Sequence, residues 1–110
     1  RKFDNQVRFY KAEDGQSIQK FEVVPRGTQV TDLQFNSNSK SLVFCADDSS
    51  TGILNTMQDK VDCLWFDHDR NQACVCVSIS QNDNLVASGS TDGTLVVRSI
   101  KDDAVIIKDR

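Results

Sequence analysis

Residues 73–110, ACVCVSISQNDNLVASGSTDGTLVVRSIKDDAVIIKDR, decide the fold of this chain. Four short apolar runs, CVCVSI, NLVASG, TLVVRSI and AVIIK, are separated by residues typical of turns, QNDN, STDG and KDD. Asp92-Gly93, between two β-branched runs, predicts a two-residue hairpin turn, because glycine adopts the positive φ that a primed turn needs. The stretch therefore predicts four consecutive strands in one antiparallel sheet.

The preceding residues show the same alternation of apolar runs and polar turns. Strands are expected at residues 7–10, 17–24, 30–35, 42–46, 53–54 and 61–66. The run 42–46 is continuously apolar, which indicates a strand buried on both faces. Pro25-Arg26-Gly27 is the clearest connection, since proline lacks the amide that a strand ladder uses. No segment carries the apolar stripe of an amphipathic helix, so the fold class is predicted to be all-β.

Size and charge bound the possible functions. The 110 residues are enough for one domain, and the formal net charge is -3. Lys and Arg are scattered rather than clustered, which argues against nucleic acid as a partner. No apolar run approaches the roughly 18 residues of a membrane span, and no signal peptide is recognisable, so no membrane insertion is expected. The first residue is Arg1 rather than methionine, and we expect the chain to be an excerpt of a longer polypeptide.

The cysteines Cys45, Cys63, Cys74 and Cys76 all lie in apolar runs. Cys74 and Cys76 are two residues apart in a predicted strand, so they are expected on the same face, as small core residues. Thiolate metal ligation is the alternative, but neither a C-x-x-C pair nor a second histidine supports it. Reduced thiols indicate an intracellular, cytoplasmic location.

The chain repeats with a period of about 44 residues, which lies in the range of propeller arrays. Asp4, Asp48 and Asp92 recur at this interval, each after the second apolar run of its unit. DNQVRFYKAEDGQSIQKF aligns without a gap, two periods later, on DGTLVVRSIKDDAVIIKD. The middle copy is the least regular.

NLVASGSTDGTLVVRSI resembles a WD40 repeat, whose units form the four-stranded blades of β-propellers. The resemblance implies the last two strands of one blade in residues 1–24, a degenerate blade in 28–66 and the most regular blade in 73–108. It implies a structural role in turns for Asp4, Asp48, Asp92 and Gly93, because a carboxylate beside a turn accepts bonds from backbone amides.

This sequence departs from the family pattern at two motifs. The Gly-His pair is absent, and Tyr10-Lys11, Asn55-Thr56 and Arg98-Ser99 replace the Trp-Asp dipeptide. We therefore expect the family's Asp-His-Ser-Trp hydrogen-bond network to be incomplete.

Candidate site residues are few. His68, the only histidine, stands in Asp67-His68-Asp69-Arg70 and is expected in a solvated loop, with no catalytic partner, metal or cofactor. Trp65 adjoins an outer strand and either packs or contacts a protein partner. The resemblance implies partner binding through rim loops, where Arg26, Asp47 and Thr91 are the other candidates.

The predicted function is a non-catalytic protein–protein interaction scaffold, a WD40-like propeller segment within a larger intracellular assembly. Its expected partners are other proteins and the missing blades of the same propeller, because two and a half blades leave apolar faces and strand edges open. Two alternatives stay open. The segment could be a regulatory or sensor propeller attached to an enzyme or NTPase domain, or its blades could complete the ring of a partner subunit.

Overall fold

The computed structural model describes residues 5–110, and Asp4, one of the predicted turn aspartates, lies outside them. Ten strands follow one another: β1 (Gln6–Tyr10), β2 (Ser17–Glu22), β3 (Val30–Phe35), β4 (Ser41–Ala46), β5 (Thr51–Asn55), β6 (Lys60–Trp65), β7 (Cys74–Ile79), β8 (Leu85–Ser90), β9 (Leu95–Ser99) and β10 (Ala104–Asp109). Residues 5–110 contain no helix, and thus none long and apolar enough to cross a membrane.

The strands form three antiparallel sheets in chain order. Sheet 1 contains β1 and β2, sheet 2 runs β3-β4-β5-β6, and sheet 3 runs β7-β8-β9-β10. The predicted all-β fold, with four-stranded antiparallel sheets like those of WD40 blades, is confirmed. The blade boundaries at 1–24, 28–66 and 73–108 remain a prediction, and we refer below to sheets 1, 2 and 3.

Irregularities in the strand ladders recur at equivalent positions of the sheets. One register shift lies between Val30 and Asp32, and another between Cys74 and Cys76, 44 residues later. A second register shift recurs in all three sheets. It lies between Phe9 and Tyr10 in sheet 1, between Ile53 and Leu54 in sheet 2, and opposite Val97 and Arg98 in sheet 3. A bulge inserts an unpaired residue and increases the local twist, so the sheets share their bends as well as their strand order.

The bulge in β7 corrects the expectation for two cysteines. Cys74 is buried, whereas Cys76 is exposed, because the extra residue between them breaks the period-two alternation of the strand. The assignment of all four cysteines to the core is therefore wrong for Cys76. Cys45 is buried and Cys63 is half-buried.

The turn at Asp92-Gly93 is also longer than predicted. The Gly93 amide donates to the Ser90 carbonyl at 3.0 Å, and the Ser90 amide donates to the Thr94 carbonyl at 3.1 Å. Gly93 has a φ of 84°, and Asp92 is not among the residues with positive φ. Three residues thus separate the hydrogen-bonded residues Ser90 and Thr94, with glycine in the left-handed position, in place of the two-residue primed turn.

Two buried clusters hold the sheets together. The first joins sheets 1 and 2 and includes Phe21 and, from β4, Leu42, Phe44 and Ala46. The second joins sheets 2 and 3 and takes Val43 and Cys45 from β4 together with, from β7 and β8, Cys74, Val77 and Val86. Alternate side chains of β4 thus enter different clusters, as the pleat of a strand requires, and β4 is buried on both faces as predicted.

Side chains of β3 cover the free edge of β7. The Thr31 hydroxyl donates to the Cys74 carbonyl at 2.6 Å, Asp32 accepts from the Val77 amide at 3.0 Å, and Gln34 accepts from the Ile79 amide at 3.1 Å. An edge strand leaves backbone groups without partners, so these bonds satisfy part of the β7 edge. The bonds also hold the two strands side by side in the same direction.

Candidate interaction rim

Because β3 and β7 run side by side in the same direction, one end of sheets 2 and 3 gathers four loops. We call this end the rim and define it by residues 23–29, 47–50, 66–73 and 91–94, which connect sheets or link the second and third strands of a sheet. The predicted contact residues Arg26, Asp47 and Thr91 are exposed and belong to it. Trp65 ends β6 just before the third of these segments.

Equivalent hydrogen bonds hold the rim loops to the turns in both four-stranded sheets. In sheet 2, the Asp47 amide donates to the Gln29 carbonyl at 3.0 Å, and the Asp47 carboxylate accepts from the Gln29 amide at 2.9 Å. In sheet 3, the Thr91 amide donates to the Ala73 carbonyl at 2.9 Å, and the Thr91 hydroxyl donates to Gln72 at 2.7 Å. Asp47 and Thr91, which were predicted as partner contacts, therefore also brace the rim loops.

The turn aspartates bond to the turns that contain them. Asp92 accepts from the Ser90 hydroxyl at 2.5 Å, from the Thr94 amide at 3.0 Å and from Arg110 at 3.1 Å. The bonds from Ser90 and Thr94 hold the pKa of Asp92 well below its usual value. Asp48 accepts from the Ser50 amide at 3.0 Å. A carboxylate that accepts an amide two residues on is the Asx-turn arrangement.

His68 is buried, with 3% of its surface exposed, so the expectation of a solvated loop is wrong. Its Nε2 lies 2.8 Å from the Ser88 hydroxyl, and its Nδ1 has no hydrogen-bond partner. Burial lowers the pKa of His68, against the opposing influence of Asp67 and Asp92. A buried histidine–serine hydrogen bond, of the kind that the family's Asp-His-Ser-Trp network contains, is thus present, although the Gly-His pair is not.

Arg98 stands at the position where the family has tryptophan. Its Nε and Nη2 donate to the two carboxylate oxygens of Asp67 at 2.8 and 2.7 Å, and its Nη1 donates to Asp103 at 3.0 Å. The guanidinium carbon lies 4.9 Å from the centre of the Trp65 ring. Two parallel bonds and an aromatic face are the contacts that a planar guanidinium makes best. Trp65 is half-buried by this stack and by the cluster between sheets 2 and 3.

Sheet 2 fills the equivalent positions with apolar residues. Forty-four residues before Asp67, His68, Ser88 and Arg98 stand Val23, Val24, Phe44 and Leu54, which all belong to the cluster between sheets 1 and 2. The strand register agrees, because Leu42 pairs with Leu54 and Val86 with Arg98. Leu54, not Asn55, is therefore the equivalent of Arg98. We call the two sets the apolar quartet and the polar quartet.

Space beside the apolar quartet is provided by glycine. A Cβ on Gly52 would lie 2.5 Å from the Phe44 ring and 2.7 Å from the Cys63 carbonyl oxygen. The equivalent pair in sheet 3 is Ser88 and Val96, a small residue opposite a larger one. In each sheet, a large side chain on one strand thus lies opposite a small residue on the adjacent strand.

The degenerate turn of sheet 2 has two buried hydroxyls. Ser49 occupies the position of Gly93 with a φ of 73°, in the left-handed region that favours glycine. The hydroxyl oxygens of Ser49 and Ser50 are buried and have no hydrogen-bond partner. This turn thus has the same left-handed position as the turn at Gly93, but its residues suit that backbone conformation less well. Among the described residues, no group of His, Cys, Asp and Glu side chains is arranged to hold a metal ion.

Residues 62–99 match the model of the WD domain, G-beta repeat. The match begins within β6 and ends with β9, so it spans the connection, the Asp92 turn and the polar quartet. Residues 62–99 therefore match a WD40 repeat, and the predicted resemblance to the WD40-repeat family is confirmed for this stretch. No curated protein matches the chain.

The polar quartet has no signature in any single stretch of the sequence. Asp67 and Arg98 are 31 residues apart and belong to no short motif. Only the 44-residue repeat points to these residues, because all four residues of the polar quartet occupy positions that are apolar in the preceding repeat unit. The change from four apolar to four polar residues at equivalent sites accompanies the two pairs that the structure shows, Asp67 with Arg98 and His68 with Ser88.

Proposed function

We propose that this chain is a non-catalytic scaffold that binds other proteins through the rim, within a larger intracellular assembly. The WD40 repeat at residues 62–99 carries the proposal, because WD40 repeats are in general protein-interaction scaffolds. The paired bonds that brace the rim loops support it further. Loops fixed by the sheets lose little conformational entropy on binding, which favours affinity.

Arg26 is the rim residue best suited to a direct contact. It is exposed, it lies in the connection between sheets 1 and 2, and the loop around it is closed by the bond from the Thr28 amide to the Pro25 carbonyl at 3.1 Å. Arginine is enriched at the centres of protein interfaces because it combines charge with a flat apolar surface. In this proposal Arg26 contacts the partner, while Asp47 and Thr91 hold the loops and Asp48, Asp92 and Gly93 hold the turns.

Trp65 can serve the scaffold in either of two ways. If it contacts a partner, Trp65→Ala will abolish binding and leave the unfolding midpoint unchanged. The stack under Arg98 favours packing, and in that case Trp65→Ala will lower the unfolding midpoint. Binding and thermal unfolding measured on the same variant separate the two roles.

Exposed apolar residues of sheets 2 and 3 support a place for further blades. Leu33 and Phe35 are exposed beside sheet 1, and Val75, Leu95, Val105 and Ile107 are exposed on sheet 3. Exposed apolar side chains of this kind mark interaction sites in a repeat array. These faces would receive sheets from the same polypeptide or, in the alternative arrangement, from a partner subunit whose ring this chain completes.

A matched pair of charge reversals tests binding through the rim. Arg26→Glu changes the rim, and Lys101→Glu makes the same change in the β9–β10 turn at the opposite end of sheet 3. Each purified variant is used to retain proteins from the source cells, and the retained proteins are quantified by mass spectrometry. We expect Arg26→Glu to lose at least one protein that wild type and Lys101→Glu both retain. Identical retention by all three folded chains would contradict binding through Arg26.

A further inference from the structure

The two connections between sheets contain equivalent turns, each with an exposed arginine at its second position. A bond from the amide of the fourth residue to the carbonyl of the first closes turn 25–28 at 3.1 Å and turn 69–72 at 2.9 Å. Arg26 and Arg70 are the second residues of these turns, and both are exposed. They stand 44 residues apart, which is one period of the repeat. The rim thus carries the same cation in the same kind of turn twice.

The two turns are neighbours along the rim. One residue separates turn 25–28 from the start of β3, and one residue separates turn 69–72 from the start of β7. The two strands run side by side in the same direction, joined by bonds such as that from the Val77 amide to Asp32 at 3.0 Å. Equal offsets from neighbouring strands place both turns at the same end, so the arginines flank the boundary between sheets 2 and 3.

The rim arginines have unused hydrogen-bond donors, whereas the rim carboxylates are engaged. Within the part of the chain that the structure describes, the Arg26 and Arg70 side chains form no hydrogen bond or ion pair. Every rim carboxylate accepts at least one hydrogen bond from the chain itself; these are Asp47, Asp48, Asp67, Asp69 and Asp92. The groups that the rim leaves for a partner are therefore cationic, and a planar guanidinium matches a carboxylate best.

Arg70 is restrained by its surroundings. Its guanidinium carbon lies 3.9 Å from the centre of the Phe66 ring, which is itself 41% exposed. The N–H groups of a guanidinium lie in its plane, so stacking on its face leaves them free to donate. The Asp69 carboxylate accepts from the Asn71 amide at 2.9 Å and fixes the turn beneath the side chain. A restrained arginine loses less conformational entropy when a ligand binds.

We propose that Arg26 and Arg70 together bind an acidic peptide segment of a protein partner, with one carboxylate at each guanidinium. The inference rests on the proposed function, because it names the chemistry of the partner that the rim binds. Nucleic acid fits less well, since a phosphate backbone needs a continuous basic surface and this chain has a net charge of -3 with five carboxylates on the rim. A peptide places its charges only at the two arginines and its neutral backbone beside those carboxylates.

Fluorescence anisotropy with a labelled synthetic peptide of alternating glutamate and glycine tests the site. We expect wild type to bind this peptide and not its counterpart with glutamine in place of glutamate. Arg26→Gln and Arg70→Gln should each raise the Kd at least about tenfold, the effect of losing a hydrogen bond between charged groups. Lys101→Gln is the matched control, because it removes the same charge from the β9–β10 turn at the opposite end of sheet 3. Its Kd should equal that of wild type.

Circular dichroism checks that all variants are folded. An unchanged Kd for either arginine variant, an equal loss for Lys101→Gln, or tighter binding of a single-stranded oligonucleotide than of the glutamate peptide would overturn the proposal. The Arg26→Glu retention experiment tests the rim separately. A retained protein that depends on Arg26 while the glutamate peptide fails to bind would contradict the acidic partner and leave the scaffold function standing. If both hold, adding the glutamate peptide should release that retained protein, and the glutamine peptide should not.

Discussion

At the scale of single residues, the two equivalent turns at Ser49 and Gly93 differ in how well their residues suit the backbone. Both residues have positive φ, but only glycine adopts it without a clash between Cβ and the following carbonyl. Ser49 also places a hydroxyl in the interior without a partner. Sheet 2 thus keeps a turn that its sequence does not favour.

Ser49→Gly is expected to raise the free energy of unfolding by about 1 kcal/mol, because it removes the left-handed strain and the unpaired hydroxyl. Gly93→Ser is the matched change, and it should lower the free energy by about the same amount. A Cβ at Gly93 meets no atom within 4 Å, so that loss would come from the backbone alone. Urea unfolding measures both values. A decrease for Ser49→Gly would contradict the argument.

His68 makes stability depend on pH. The pKa of His68 is lowered in the folded protein, chiefly by burial, while the pKa of a histidine in an unfolded chain is about 6.5. Below that pH the unfolded chain binds a proton that the folded protein resists, so stability is lost as pH falls. The charged neighbours Asp67, Asp92 and Lys108 are present in both wild type and variant.

We therefore expect the urea midpoint of wild type to fall more steeply between about pH 7 and pH 5 than that of His68→Gln. The difference between the two slopes isolates His68, because the carboxylates contribute to both. Equal slopes would show that His68 has the same pKa in the folded and unfolded states.

At the scale of strands and sheets, complementary volumes distinguish sheet 2 from sheet 3. Phe44 pairs with Gly52, and Ser88 pairs with Val96, at equivalent positions of adjacent strands. Directly opposed side chains on one face of a sheet are close enough to exclude each other. At these two positions, the larger residue of each pair therefore lies opposite a smaller one.

Gly52→Val is expected to cost at least about 3 kcal/mol, because the new side chain meets the Phe44 ring and the Cys63 carbonyl. Adding Phe44→Ser reproduces the sheet 3 pair and should recover part of that loss. Phe44→Ser alone, which leaves a cavity, is the matched control. Thermal unfolding of the three variants gives the coupling. Additive losses would mean that the two positions do not compensate.

At the scale of the whole molecule, contacts between sheets hold the fold together. The side chains of β3 bond to the β7 edge, and β4 contributes to the clusters on both of its faces. The Asp67–Arg98 pair adds a contact between the connection that leaves sheet 2 and strand β9. Both of its side chains are nearly buried, at 12 and 13% exposure, so each depends on the other for compensation of its charge.

Arg98→Leu is expected to destabilise the chain by about 3 kcal/mol, because it leaves the Asp67 carboxylate buried without its partner. Asp67→Val/Arg98→Leu installs the residues found at the equivalent positions Val23 and Leu54, and it should recover most of that loss. Urea unfolding of both single variants and the double variant measures the coupling energy. A double variant as unstable as the sum of its parts would show that the pair acts independently.

The sequence by itself determined the strand order, the 44-residue period, the turn positions and the WD40 resemblance. Local rules govern these features, because alternation, turn residues and repeat spacing are properties of consecutive residues. Tertiary structure alone decided which cysteines are buried, where His68 lies and that Arg98, at the tryptophan position, pairs with Asp67. A bulge reverses the face of Cys76, the 31-residue separation of Asp67 and Arg98 closes only when sheet 3 folds, and Cys45 and Cys74 join one cluster only across two sheets. Such contacts depend on how complete sheets pack, which no short segment specifies.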